Sequence, residues 1–169
     1  MSANLKVVDE IVLGDTNTEQ TVHDFIERTS PFSRFQTPSG TIYGDASGNS
    51  RSTKSSRTDY QLIQDIFQHD RRYRGQNKSN PLVRDRVNTM NNLLKSVEGQ
   101  RNVLIHPRCK ELIQDLRQVR WHRDTAGNPT GELDKSDPRR THASDALSYL
   151  VAQEWALRSS AGAQSGIFQ

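Results

Sequence analysis

Thr141-His142-Ala143-Ser144-Asp145-Ala146-Leu147-Ser148-Tyr149-Leu150 reads as a helix carrying an imidazole and a carboxylate three residues apart. That spacing puts His142 and Asp145 on one face, one turn apart, and Tyr149 extends the face. Ala143, Ala146, Leu147, Leu150 and Val151 form the apolar stripe beside it. A carboxylate at the edge of such a stripe is costly to desolvate unless a cation, a metal or a hydrogen-bond donor meets it. The plainer reading is a helix N-terminus, with Thr141 as N-cap and Asp145 near the positive end of the helix dipole. The rest of the chain has to separate the two.

Upstream of that helix, strand and helix signals alternate. Leu5–Leu13 is rich in Val and Ile and predicts a strand, turned by Gly14-Asp15. Asn17 or Thr18 caps a helix over 18–29 with Val22, Phe25 and Ile26 inward. Thr41-Ile42-Tyr43 is a short buried strand that ends in Gly44-Asp45-Ala46-Ser47-Gly48. Thr58 or Asp59 caps a helix carrying Tyr60, Ile63, Ile66 and Phe67, and a basic loop covers 68–80. Val83, Val87, Met90, Leu94 and Val97 make a helical stripe over Pro81–Val97, with Pro81 in the first turn. Asn102–His106 is a brief strand, and Pro107 opens a helix with Leu112, Ile113, Leu116 and Val119 inward. A hairpin is expected around Gly127-Asn128, then the helix over 141–157. The pattern predicts an α/β domain with a mixed or partly parallel sheet. The domain is expected over residues 1–157, with a flexible tail over 158–169.

Composition bounds the reading. Apolar residues make up 32% of 169, so the core is small and the surface polar. The single cysteine, Cys109, excludes an intramolecular disulfide and a cysteine-based zinc site. No signal peptide and no membrane-length apolar run is visible. The net charge is only +3, but residues 51–86 concentrate Arg51, Lys54, Arg57, Lys78, Arg84 and Arg86 among others. A basic, Ser- and Asn-rich region suits a polyanion, or is simply a solvated loop.

Asp45 stands where a strand ends, which is where α/β sheets place their sites. Its small neighbours leave room for a ligand or a phosphate backbone, although an Asx-turn is the commoner explanation of a lone aspartate there. Asp45 and Asp145 brought together, with no basic partner between them, would favour Mg²⁺ or Mn²⁺, which prefer oxygen ligands. A metal pair about 4 Å apart activates water and stabilises the leaving oxygen in phosphodiester hydrolysis. His142 would be a third ligand, a proton shuttle or a donor to phosphate.

Six segments in order carry a family resemblance. They are Tyr43–Gly48, Arg51 with Lys54, Thr58-Asp59-Tyr60, Asn80–Asn88, His106–Lys110, and Asp134-Lys135 with His142–Leu147. Over about residues 5–152 the chain resembles the C-terminal nuclease domain of the large terminase subunit of tailed bacteriophages. The resemblance implies an RNase H-like mixed sheet flanked by helices, N-terminally truncated. It implies a metal-dependent endonuclease that cuts concatemeric DNA during genome packaging, with Asp45, Asp145 and His142 at a two-metal Mg²⁺ or Mn²⁺ site.

The family's first acidic residue lies on a strand before the one read at 5–13, and this chain is expected to begin after it. Asp9 or Glu10 is the candidate substitute, provided strand 5–13 pairs beside strand 41–45. No G-x-x-x-x-G-K-[ST] motif of the packaging ATPase occurs. The alternative is a catalytically incomplete remnant that binds DNA or a packaging partner. Arg51, Lys54, Arg57, Lys78, Arg84 and Arg86 are the expected phosphate contacts on double-stranded DNA. The resemblance also implies the small terminase subunit and portal protein as partners, a homo-oligomer or a complementing N-terminal fragment, no membrane, and the cytoplasm of a bacterial host.

Overall fold

Short strands and longer helices alternate along the chain. The computed structural model describes residues 5–29, 40–50, 56–67, 73–76 and 79–162, of which 73–76 and 156–162 by backbone alone. In order the elements are β1 (Leu5–Val7), α1 (Thr18–Thr29), β2 (Gly40–Tyr43), α2 (Asp59–Ile66), β3 (Tyr73–Gln76) and α3 (Val83–Leu94). β4 (Val103–Ile105), α4 (Lys110–Gln118), β5 (Trp121–Arg123), β6 (Pro129–Leu133) and α5 (His142–Gly162) follow. The elements group into two compact units, Ile11–Asn80 and Met1–Glu10 with Pro81–Gln169.

The Ile11–Asn80 unit is built on two well-capped helices. Asn17 Oδ1 accepts the Gln20 N–H at 2.9 Å and starts α1. Thr58 and Gln61 form a reciprocal capping box at the start of α2. Phe25 and Phe67 pack edge to face at 6.3 Å between the helices, and Thr18 donates to Asp59 at 2.8 Å. β2 pairs in parallel with β3. The strand β3 lies in the segment expected to be a basic loop. Its sequence Tyr-Arg-Gly-Gln has no alternation of apolar and polar residues, so no strand signal was available.

In the other unit β1 pairs in parallel with β4, not with β2. The strand read at 5–13 stops at Val7. Beyond it the chain turns so that Glu10 reaches α4, where its carboxylate accepts the N–H groups of Glu111 and Leu112, both at 2.9 Å. The core is Met90, Leu93, Val103 and Val151, with Leu5, Ile105, Leu116, Leu147, Leu150 and Trp155 against it. The expected hairpin is present as β5 and β6. Asp124 closes it by accepting the N–H groups of Ala126 and Asn128, and Gly127 takes the left-handed backbone with φ 85°. Among the described residues the strands form three separate pairs rather than one mixed sheet. The last helix runs to Gly162, past the start expected for a tail at 158. No helix among the described residues is long and apolar enough to cross a membrane.

The start of α5 is fixed from outside. Thr141 has φ 78° and is buried, a costly conformation for a β-branched residue and not the extended backbone of an N-cap. The capping acceptor is instead Asp115, 1% exposed on α4. Its Oδ2 accepts the N–H groups of Ala143 and Ser144 at 3.1 and 3.2 Å. Its Oδ1 accepts from Arg140, which also reaches Glu111 at 3.2 Å. Asp137, held down to about 2 chiefly by the hydrogen bond from Arg139, completes the anionic surround of Arg140. Asp115→Ala removes the cap and unbalances a buried guanidinium, so urea unfolding should show a loss of about 2–4 kcal/mol. A loss under about 0.5 kcal/mol, the level of an ordinary surface change, would contradict that role.

Candidate functional site

The buried face of α3 begins with an arginine. Arg86, Met90 and Leu93 are all buried, spaced by four and three residues, so Arg86 occupies the first position of the core stripe. Of the expected stripe, Met90 is buried, Leu94 packs against the core, Val83 and Val87 are half-buried, and Val97 is fully exposed. A guanidinium at such a position requires partners, and α5 supplies them. Arg86 Nη1 donates to Asp145 Oδ1 at 3.0 Å and to Ser148 Oγ at 2.6 Å. Ser148 Oγ in turn donates to the Asp145 carbonyl at 2.7 Å. The guanidinium carbon lies 4.3 Å from the centre of the Tyr149 ring, a cation–π contact. Arg86 Nε is buried with no hydrogen-bond partner.

Asp145 is therefore met by a cation, the first of the partners that a carboxylate beside an apolar stripe requires. Its side chain is 20% exposed, and Lys135 Nζ lies 4.0 Å from Oδ2. Both oxygens are faced by cations, one buried and the other exposed. Arg86, expected on DNA phosphate, is 5% exposed and turned inward, so its charge acts on Asp145 instead. His142 is exposed and its Nε2 donates to the Pro138 carbonyl at 2.8 Å.

Asp145 and Arg86 open onto a cleft of about 1270 Å³ between the hairpin and the helices. The hairpin side of the cleft carries Arg120, His122, Arg123, Glu132 and Asp134. Asp134 lies below the usual carboxylate range, chiefly because the Ser136 backbone N–H donates to it. Arg120, His122 and Arg123 were not anticipated. Arg120 and Arg123 flank an aromatic on a three-residue strand, too short for periodicity to expose.

Asp45 lies in the Ile11–Asn80 unit. Its Oδ1 accepts the Ser47 N–H at 2.7 Å and an Asn80 Nδ2 hydrogen at 2.9 Å. Asn80 Oδ1 accepts the Ala46 N–H at 2.8 Å, so one asparagine clamps the turn from both sides. The room expected around Gly44 and Gly48 is filled by Tyr60. A Cβ on either glycine would come within 2.6–2.8 Å of that side chain. Tyr60 donates to the Asp45 carbonyl at 3.1 Å, and burial, then Asp45 and Asp59, raise its phenol. The glycines serve the packing of an aromatic on the turn.

Of the other expected residues, Arg84 is exposed, and Arg57 is exposed and paired with Asp65 at 2.8 Å. Arg51, Lys54 and Lys78 lie outside the described residues. Asp9 and Glu10 belong to the β1 unit. Asp9 faces Arg108 at 3.9 Å, and Glu10 uses both oxygens on the start of α4.

No family model and no curated protein sequence matches the chain. A solved structure does match it. The fold is similar to that of a phage terminase nuclease domain. That structure is the nuclease domain of g2p, the large terminase of bacteriophage SPP1, with bound Mn. The TM-score is 0.54 over 88% of this chain and 70% of that one, at 18% identity. At that identity the likeness establishes a shared α/β fold with the terminase nuclease, and chemistry has to be argued from the residues.

Carboxylate oxygens are the donors that Mg²⁺ and Mn²⁺ prefer, and such ions are commonly held by one or two carboxylates plus waters and substrate phosphate. Asp45, exposed on its clamped turn, offers that donor chemistry, whereas Asp145 already meets Arg86 on Oδ1 and faces Lys135 with Oδ2. Among the described residues no group of three or more His, Cys, Asp or Glu could hold a metal. Arg86→Lys keeps the charge beside Asp145 but loses the planar fork and the stacking on Tyr149. Thermal unfolding should show a loss of about 1–2 kcal/mol; an unchanged midpoint would remove Arg86 from the supports of α5.

Proposed function

We propose that this chain is the nuclease module of a viral genome-packaging machine, a metal-dependent endonuclease that cuts double-stranded DNA. The observation that carries the reading is a terminase-nuclease fold with an aspartate at the end of β2 and another in the first turn of α5. Asp45 and Asp145 would donate carboxylate oxygens to Mg²⁺ or Mn²⁺, as the Mn in the SPP1 domain suggests. A bound divalent ion would supply activation of water and neutralisation of charge on the scissile phosphate. His142, exposed and one turn before Asp145, would donate to phosphate or move a proton. Arg84 and Arg57, with Arg51, Lys54 and Lys78 as further candidates, would hold the DNA backbone. The basic side chains of the hairpin cleft, Arg120 and Arg123, join them. The expected place of action is the cytoplasm of a bacterial host, with the small terminase subunit and the portal protein as expected partners.

A second reading is favoured by one specific observation. Asp145 is already balanced by Arg86 and Lys135, and Glu10 and Asp9 are committed within their own unit. This is the arrangement expected of a nuclease-fold module that binds DNA without cutting it. The two readings predict different results with supercoiled plasmid. The endonuclease nicks it when Mg²⁺ or Mn²⁺ is added, and Asp145→Asn and Asp45→Asn abolish nicking while gel-shift affinity for duplex DNA is kept. Binding without metal-dependent nicking supports the second reading, and undiminished nicking by Asp145→Asn removes the site assignment.

A further inference from the structure

The hairpin sets an aromatic ring among cations at the wall of the cleft. Trp121 on β5 is half-buried, and Arg120, His122 and Arg123 beside it are exposed. A regular strand would send successive side chains to opposite faces. Here the register with β6 shifts between Trp121 and Arg123, Gly131 takes the left-handed backbone at φ 84°, and all four residues line one cleft. Of the acidic lining residues, Asp145 is met by Arg86, and Asp134 accepts the Ser136 N–H at 2.9 Å. The exposed Arg120, Arg123 and Lys135 therefore outnumber the exposed Glu132.

A smaller pocket of about 160 Å³ shares Trp121 and Leu133 with the cleft. Val87, Met90 and Leu116 also line it, and the exposed Asn91 offers it an amide donor and acceptor. It has room for about five waters at about 30 Å³ each, well short of the roughly 300 Å³ of a small-molecule site, so it suits a single planar ring. Among the described residues no other ring and no cation stacks on Trp121. Cations beside an aromatic face suit a nucleotide, with phosphate on the cations and base on the ring. In a duplex the faces of a base are covered by its neighbours, and only an unpaired strand offers them.

We propose that the hairpin cleft binds an unpaired segment of DNA, with one base stacked on Trp121 beside the smaller pocket and the flanking phosphates on Arg120 and Arg123. The inference rests on the DNA-binding reading above and names the form of DNA that this cleft takes. The test is fluorescence anisotropy of the full chain with a labelled oligothymidylate and with a blunt duplex, in EDTA so that neither is cut. Trp121→Ala should weaken single-strand binding by about five- to a hundredfold and leave duplex binding within about twofold. Trp121→Phe, which keeps a ring, should retain most of the affinity. Arg120→Ala should lower the slope of log affinity against log salt by about 0.7. Stacking should also quench tryptophan emission in the native chain and in Trp155→Phe, and not in Trp121→Phe. Equal single-strand affinity in Trp121→Ala, or quenching that follows Trp155 instead, overturns the stacking site. Duplex binding without single-strand binding overturns it too and leaves the DNA-binding reading standing. Binding of neither overturns both.

Discussion

One carboxylate, that of Asp115, determines where α5 begins. It is 1% exposed and accepts two N–H groups of the first turn of α5 and one from Arg140. The helix dipole favours an anion at that end, and the orphan N–H groups need acceptors once buried. Thr141, held at φ 78°, persists because the residues on both sides are anchored to this group. Asp145 lies one turn in, so its position is inherited from Asp115. Arg86 meets its partner on α5 for the same reason.

The same device occurs twice in the unit. Glu10, after β1, accepts the first N–H groups of α4, and Asp115 on α4 accepts those of α5. Cys109 before α4 makes no side-chain cap, and neither does Leu82 before α3. Successive helices are thus registered by carboxylates from elsewhere in the chain. That accounts for buried acidic and basic side chains in a domain whose apolar core is small. Each is paired, as burial of charge requires.

Local signals were legible where the stabilising groups are close in sequence. Asn17, the Thr58 and Gln61 pair, and the Asp124–Asn128 turn act over two to four residues, and the elements they begin or close were read in place. Signals failed where the partner is distant. The strand β3 has a polar sequence and is held by pairing to β2. The α3 stripe was read through its valines because an arginine was not counted as a core residue. The Asp45 turn was read as open because Tyr60, 15 residues on, fills it.

By itself the sequence determined the alternation of strands and helices, the capped helices of the Ile11–Asn80 unit, the hairpin, and the two aspartates at a strand end and a helix start. It did so because propensity, caps and turns act between near neighbours. Tertiary structure alone decided that Asp115 caps α5, that Arg86 is buried against Asp145, Ser148 and Tyr149, and that Lys135 faces the second oxygen. Those contacts join residues 10 to 63 positions apart, and a charge that is solvated in an unfolded chain acquires its partner only when burial removes the water.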